Sequence, residues 1–208
     1  MGYTTDFEGV FTLDKPLTPE HKKYLEQFSH TRRMKRNSSK TEKLADPYRK
    51  AVGLSVGIEG GYHVGTSTNF GQKDDTSIVE YNEPPSGQHS LWCDWTPTED
   101  GTEIEWNGSE KFYKYVEWLD YIMRNFTCRW GYMMNGEVTW QGEDDDDIGR
   151  IIVANNNVSV LRGTAGMFRC WKCSSLISEE TAKKLKGLCA KCAGDVTVEN
   201  PSGRKIRP

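Results

Sequence analysis

The sequence has few of the residues that build aliphatic cores or membrane segments. Leucine, isoleucine, valine and phenylalanine number 11, 9, 12 and 7, which is 39 of 208 residues. No apolar run approaches the roughly 18 residues that cross a bilayer, and the first ten residues lack the basic and apolar regions of a secretory signal. These absences predict a cytoplasmic protein that has no membrane partner.

The sequence also lacks a large excess of charge of one sign, since its net charge is only −3. A chain this poor in aliphatic residues would be disordered if its net charge were large. Seven tryptophans and nine tyrosines instead supply bulky side chains, so we expect a folded protein with an aromatic core. The charge is unevenly distributed, with +4 over residues 1–50, −13 over 51–161 and +6 over 162–208.

A composition break at residues 162–166 divides the chain. This segment, Arg-Gly-Thr-Ala-Gly, has the small and flexible residues of a linker. We predict a domain over residues 1–161, which includes an irregular glycine-rich segment over 51–90. A small metal-binding domain over 167–199 and a basic tail over 200–208 follow the linker.

The 1–161 region combines strand and helix patterns. Apolar residues alternate over 7–13, and a helix start is marked by Thr18 and Pro19. Apolar residues recur at helical spacing over 112–126, which predicts a second helix with Ser109 near its start. Turn residues predict hairpins over 91–106, 132–140 and 150–161, with Asn135-Gly136 in the second turn. Two helices packed on a mainly antiparallel sheet, an α+β fold, account for this pattern.

Two CxxC motifs give the strongest chemical signal. Cys170 and Cys173 are separated from Cys189 and Cys192 by fifteen residues, a spacing typical of zinc sites. Two such turns offer four thiolates to one tetrahedral ion and leave no open position, so we predict a structural zinc in a small zinc ribbon. Iron in a rubredoxin-like site is the main alternative. Disulfides are rare in the cytosol, and a redox CxxC lacks its usual βαβ context here.

Other patterns are weaker. Gly53-Leu54-Ser55-Val56-Gly57 matches a nucleophile elbow, but the residues that follow do not start a helix, so we assign no catalytic residue. The acidic run 143–147 fits no EF-hand register and is expected to be a solvated loop. A basic cluster after the first helix is a possible phosphate-binding or partner-binding site, although it also suits a helix C-terminus; it comprises Arg32, Arg33, Lys35 and Arg36.

Several segments resemble an uncharacterised family found in phage and bacterial genomes. They include residues 2–7, 16–21, 31–34, 91–93, 97–101, 110–113 and 135–144. The resemblance spans most of residues 1–161 and implies no established activity or catalytic residue. The cysteine region is similar in outline to small two-knuckle zinc ribbons and to DnaK-suppressor-type fingers that touch RNA polymerase, although its fifteen-residue gap is shorter than in the latter.

Three functional hypotheses follow. The first is a non-enzymatic, zinc-binding protein that is phage-encoded, acts in the host cytoplasm and binds a host or phage protein. The second is a nucleic-acid-binding protein that uses the basic stretch 32–36 and the zinc ribbon, whose binding would weaken steeply with salt. The third is a small-ligand binder or enzyme that uses the glycine-rich loop over 53–71.

Overall fold

The computed structural model describes residues 2–65, 75–163, 167–194, 198–199 and 205–206. Part of the predicted linker (164–166), part of the glycine-rich loop (66–71) and most of the tail lie outside these residues. The chain forms two compact units. We name residues 10–135 the central unit, and residues 1–9 with 136–208 the terminal unit.

In the described ranges, eight strands form one sheet and four others, of two or three residues each, form two separate pairs. In chain order the strands are β1 (Thr5–Leu13), β2 (Lys35–Arg36), β3 (Ile78–Glu80), β4 (Trp95–Pro97), β5 (Glu103–Trp106), β6 (Met134–Gly142), β7 (Ile148–Ala154), β8 (Asn157–Arg162), β9 (Met167–Arg169), β10 (Leu176–Ser178), β11 (Val198–Glu199) and β12 (Lys205–Ile206). The large sheet has the order β10-β9-β8-β7-β6-β1-β5-β4, while β2 pairs with β3 and β11 with β12. Its neighbours are antiparallel from β10 to β6 and from β1 to β4, which confirms the predicted α+β class.

Helices are short apart from two. They are α1 (Pro19–Ser29), α2 (Ser38–Thr41), α3 (Pro47–Ala51), α4 (Tyr115–Ile122), α5 (Glu179–Lys184) and α6 (Ala190–Gly194), with a 3-10 turn over Ile58–Gly60 and a π-helical turn over Met123–Thr127. Helix α1 begins as the sequence predicts, because the Thr18 side chain accepts a hydrogen bond from the amide of His21 and Pro19 occupies the first turn. No helix in the described ranges has both the length and the apolar composition needed to cross a bilayer.

The core of the central unit is aromatic, as the composition predicts. Phe28 of α1 packs edge-to-face against Trp118 of α4 and against Phe126, with ring centroids 5.9 and 5.1 Å apart. Trp95 of β4 packs in the same way against Phe11 of β1 at 5.4 Å. These rings are at most 2% exposed, so paired aromatic faces stabilise this unit where aliphatic residues are few.

The terminal unit is built on a meander of β6, β7 and β8. Asn155 and Asn156 join β7 to β8, with φ angles of 50° and 62°, the left-handed conformation that a tight hairpin turn requires. Beyond β8, a hydrophobic cluster joins Leu161 of β8 to Phe168 of β9, Ile177 of β10 and Ala182 of α5. The compact terminal unit therefore spans the predicted 162–166 boundary, because the small cysteine-rich region shares apolar contacts with the sheet.

Two local predictions were wrong. Asn135-Gly136 does not turn a hairpin, because both residues lie inside β6, where Gly136 is paired with Val153 of β7. The long helix begins at Tyr115 rather than near Ser109, after Lys114 in a left-handed conformation. In both cases the sheet and core contacts outweigh the local turn and helix signals.

Gly149 provides a test of packing in this sheet. It lies opposite Trp140 in the β6–β7 pair, and a Cβ at this position would overlap both the Trp140 indole and the carbonyl oxygen of Leu161. We predict that Gly149→Ala lowers the free energy of unfolding by about 1–3 kcal/mol, measured by urea denaturation. Gly194→Ala, where a Cβ would meet nothing within 4 Å, is the control and should change stability by less than about 0.5 kcal/mol. Equal stability of the two variants would contradict the packing.

Candidate metal centre

The first CxxC turn is formed directly after β9. The amide of Cys170 donates to the carbonyl of Ser175 at 2.8 Å, and the amide of Ser174 donates back to the carbonyl of Cys170 at 2.7 Å. Ser174 has a φ of 58°, so the chain reverses sharply and returns as β10. This hairpin turn directs Cys170 and Cys173 toward the same point.

The second CxxC turn follows α5. Ser178 caps that helix by accepting a hydrogen bond from the amide of Thr181. Lys186 and Gly187 then end the helix in left-handed conformations, with φ of 51° and 80°. Cys189 follows, and Cys192 lies in α6 with its amide 3.4 Å from the Cys189 sulfur.

The four predicted ligands converge. The Sγ atoms of Cys170, Cys173, Cys189 and Cys192 all lie within 4.8 Å of one another, and those of Cys173 and Cys189 are 3.7 Å apart. Such a group can hold a metal ion. Among the described histidine, cysteine and acidic residues, no other group brings three ligand atoms this close, so the acidic run 143–147 forms no such cluster.

The thiols of the centre differ in acidity. Desolvation opposes ionisation of Cys170, but hydrogen bonds from the backbone amides of Cys189, Cys173 and Lys172 outweigh it and lower the pKa of this thiol to about 6. The hydrogen bond to Cys173, followed by burial, raises the pKa of Cys192 to about 12. Four thiolates at this separation repel one another, so full ionisation of the cluster needs a cation at its centre.

The remaining cysteines lie elsewhere. Cys93 is fully buried in the central unit, and burial raises the pKa of its thiol far above the ordinary value, as expected of an inert core residue. Cys128 is exposed. Neither belongs to the four-cysteine group.

The structure separates the basic cluster into buried and accessible residues. Arg33 is 2% exposed and donates to the carbonyls of His63 and Gly61 and to the Gln88 side chain, at 2.8–2.9 Å. Arg36, 4% exposed, is paired with Asp75 at 2.5 Å. Both guanidinium groups are therefore occupied by partners within the central unit.

Arg32 and Lys35 are only half-buried. Arg32 stacks over the Tyr81 ring at 4.4 Å and donates to Asn82 at 2.9 Å. Lys35 contacts Glu83 at 3.2 Å. Each of the four cations thus has partners of its own within the central unit.

The sequence analysis missed a buried acid in the central unit. Asp94 is 3% exposed and lines a cavity of about 430 Å³ whose other residues include Ser29, His30, Trp92, Asn107, Ser109 and Lys111. Desolvation raises the pKa of Asp94 to about 6, although hydrogen bonds from Asn107 and Ser109 lower it. The residues next to Asp94 in the sequence do not indicate that it is buried, because the residues that cover it come from distant parts of the chain.

Comparison with known proteins gives no match. No family model, no curated protein and no solved structure matches the chain.

Arg33 and Arg32 form a matched pair for a stability test. Replacement of Arg33 by alanine removes the donor to the His63 carbonyl and to Gln88 Oε1 in the core, while the Gly61 carbonyl keeps the hydrogen bond from the Gln88 amide. We predict that Arg33→Ala lowers the free energy of unfolding by about 2–4 kcal/mol, whereas Arg32→Ala costs less than about 1 kcal/mol. Thermal and urea unfolding measure both, and similar losses would show that Arg33 is not a structural cation.

The raised pKa of Asp94 predicts that the stability of the protein depends on pH. Its folded pKa of about 6 lies above the unfolded value of about 3.9, so the folded state favours the protonated acid. The stability this provides is complete below the unfolded pKa and is lost as the pH rises through about 6. We expect the difference in unfolding free energy between Asp94→Asn and the wild type to increase from pH 4 to pH 7, by about 1–3 kcal/mol. A difference that stays constant with pH would contradict the shift.

Proposed function

We propose that Cys170, Cys173, Cys189 and Cys192 hold one Zn²⁺ as a structural ion. The observation that carries this is the convergence of four Sγ atoms within 4.8 Å. In a tetrahedron with Zn–S bonds of 2.3 Å, adjacent sulfur atoms are about 3.8 Å apart, close to the 3.7 Å between Cys173 and Cys189. Iron also accepts four thiolates, and metal analysis separates the two ions.

The donor set favours a structural role for the ion. Four protein thiolates fill a tetrahedral zinc ion and leave no position for water or substrate. The apolar cluster next to the centre is small, with Leu161, Phe168, Ile177 and Ala182 as its buried members. Metal binding would therefore contribute a large part of the folding free energy of this region.

The proposed role of the chain is that of a phage-encoded binding protein of the cytoplasm, with the metal-centred region as a contact surface. Two large apolar residues of this region are more than half exposed, Trp171 at 58% and Leu176 at 57%. Tryptophan is enriched at interfaces, because its ring is apolar and its N–H can donate a hydrogen bond. The basic stretch 32–36 supports a binding role less well, since Arg33 and Arg36 are buried.

Metal content and local protection test this proposal. We predict one zinc ion per chain by elemental analysis, and loss of the metal in Cys170→Ser/Cys173→Ser. Chelation should also remove hydrogen-exchange protection from the amides of Phe168 and Ile177, because these residues belong to the cluster beside the centre. Amides of α1 should remain protected.

Cys128→Ser is the matched control, because this thiol is exposed and outside the cluster. It should retain the full metal content. A purified wild type without metal, or a double variant that still binds one zinc per chain, would overturn the proposal. Iron in place of zinc would correct the identity of the ion and leave its structural role intact.

A further inference from the structure

Trp171 lies in the first CxxC turn, between Cys170 and Lys172, and contacts Gly187 of the turn that follows α5. Its amide donates to the carbonyl of Gly187 at 3.2 Å. A Cβ on Gly187 would lie 3.1 Å from Cδ1 and 3.7 Å from Nε1 of the indole, so the pyrrole edge of the ring rests against the glycine backbone. Trp171 is nevertheless 58% exposed. The ring is therefore fixed at one edge and open to solvent.

Three exposed lysines lie close in the sequence to this indole and to the residues around it. Lys172 follows Trp171 directly, and Lys186 precedes Gly187, which the indole contacts. Lys191 lies between Cys189 and Cys192. All three lysines are exposed. Residues 167–194 contain six basic and two acidic side chains. A zinc ion with four thiolates contributes a net charge of −2. The net charge of this region is then about +2.

We propose that this face, Trp171 with Lys172, Lys186 and Lys191, binds single-stranded nucleic acid. Each nucleotide supplies a planar base that can stack on an exposed indole and a phosphate that pairs with lysine. In a duplex the bases are already stacked inside, so the indole finds no free ring. An acidic peptide satisfies the lysines but offers no regular planar group to the tryptophan.

This inference rests on the proposed metal centre, because Trp171 lies in the first CxxC turn and Gly187, which it contacts, lies two residues before the second. The proposed face also differs from the basic stretch 32–36, whose Arg33 and Arg36 are buried. The face offers one tryptophan for stacking and three lysines for contacts with phosphate. We therefore expect its affinity for single strands to be modest and to depend strongly on salt concentration. For single strands each contact contributes about −0.7 to the slope of log affinity against log salt, so three contribute about −2.

The test uses the zinc-loaded full chain and a fluorescein-labelled oligothymidine of about twelve nucleotides, a length within the footprint of small single-strand-binding modules. Fluorescence anisotropy measures affinity at two salt concentrations. Trp171→Ala should weaken binding about 5- to 150-fold, the range of one base–aromatic stack, and Trp171→Phe should recover most of the loss. Lys172→Gln/Lys186→Gln/Lys191→Gln should reduce the salt slope by about 2.

Matched controls are Tyr113→Ala, an aromatic residue 47% exposed in the central unit, and Lys43→Gln/Lys50→Gln, a change of two exposed lysines. Both should leave the affinity unchanged. Zinc content is measured for every variant, so that a loss of binding is assigned to the face only where the metal is retained. The lysine variant keeps the test independent of any effect of Trp171→Ala on folding.

The outcomes distinguish the two proposals. One zinc per chain without binding of the oligonucleotide overturns this inference alone, whereas a wild type that holds no metal overturns both. Equal affinity for a duplex of the same length rules out base stacking. Tight binding of a polyglutamate peptide that Trp171→Ala does not weaken would identify an acidic protein partner instead.

Discussion

The four thiols converge because a small hydrophobic cluster holds two reversals of the chain together. The β9–β10 hairpin carries Cys170 and Cys173, and the turn at Lys186 and Gly187 brings Cys189 back after α5. Phe168 lies on β9 before the first reversal, Ile177 and Ala182 lie between the two, and all three belong to one hydrophobic cluster with Leu161 of β8. The candidate metal centre is thus joined to the sheet by apolar contacts. Ion binding and packing are expected to stabilise the region together, because each fixes the same two turns.

In the central unit a buried cation has a comparable organising role. The guanidinium of Arg33 donates to two backbone carbonyls and one amide side chain, and it lies 4.4 Å from the centroid of the Phe28 ring. These partners come from α1 and from two loops that have little regular structure. A buried charge is tolerated only when its hydrogen bonds are satisfied, so Arg33 fixes the positions of segments that contain few apolar residues. The aromatic rings around it provide the packing that aliphatic residues supply in other proteins.

In the proposed function the metal centre and the exposed side chains around it have different roles. A closed four-thiolate site would fix the backbone of both turns without taking part in chemistry. Recognition would then belong to side chains that the turns expose, with Trp171 against Gly187 as the best-defined one. Such a fixed side chain loses little conformational entropy when it binds, which favours recognition by a small surface.

The sequence by itself determined the class of fold, the start of α1, the β7–β8 turn and the four residues of the metal cluster. These features depend on local signals: a capping threonine with proline, paired asparagines, and CxxC spacing. Only the tertiary structure decided which of the adjacent basic residues are buried, that Asn135 and Gly136 continue a strand, and that the cysteine-rich region shares a hydrophobic cluster with β8. These outcomes depend on contacts between residues far apart in the chain, where burial and pairing energies outweigh local propensity.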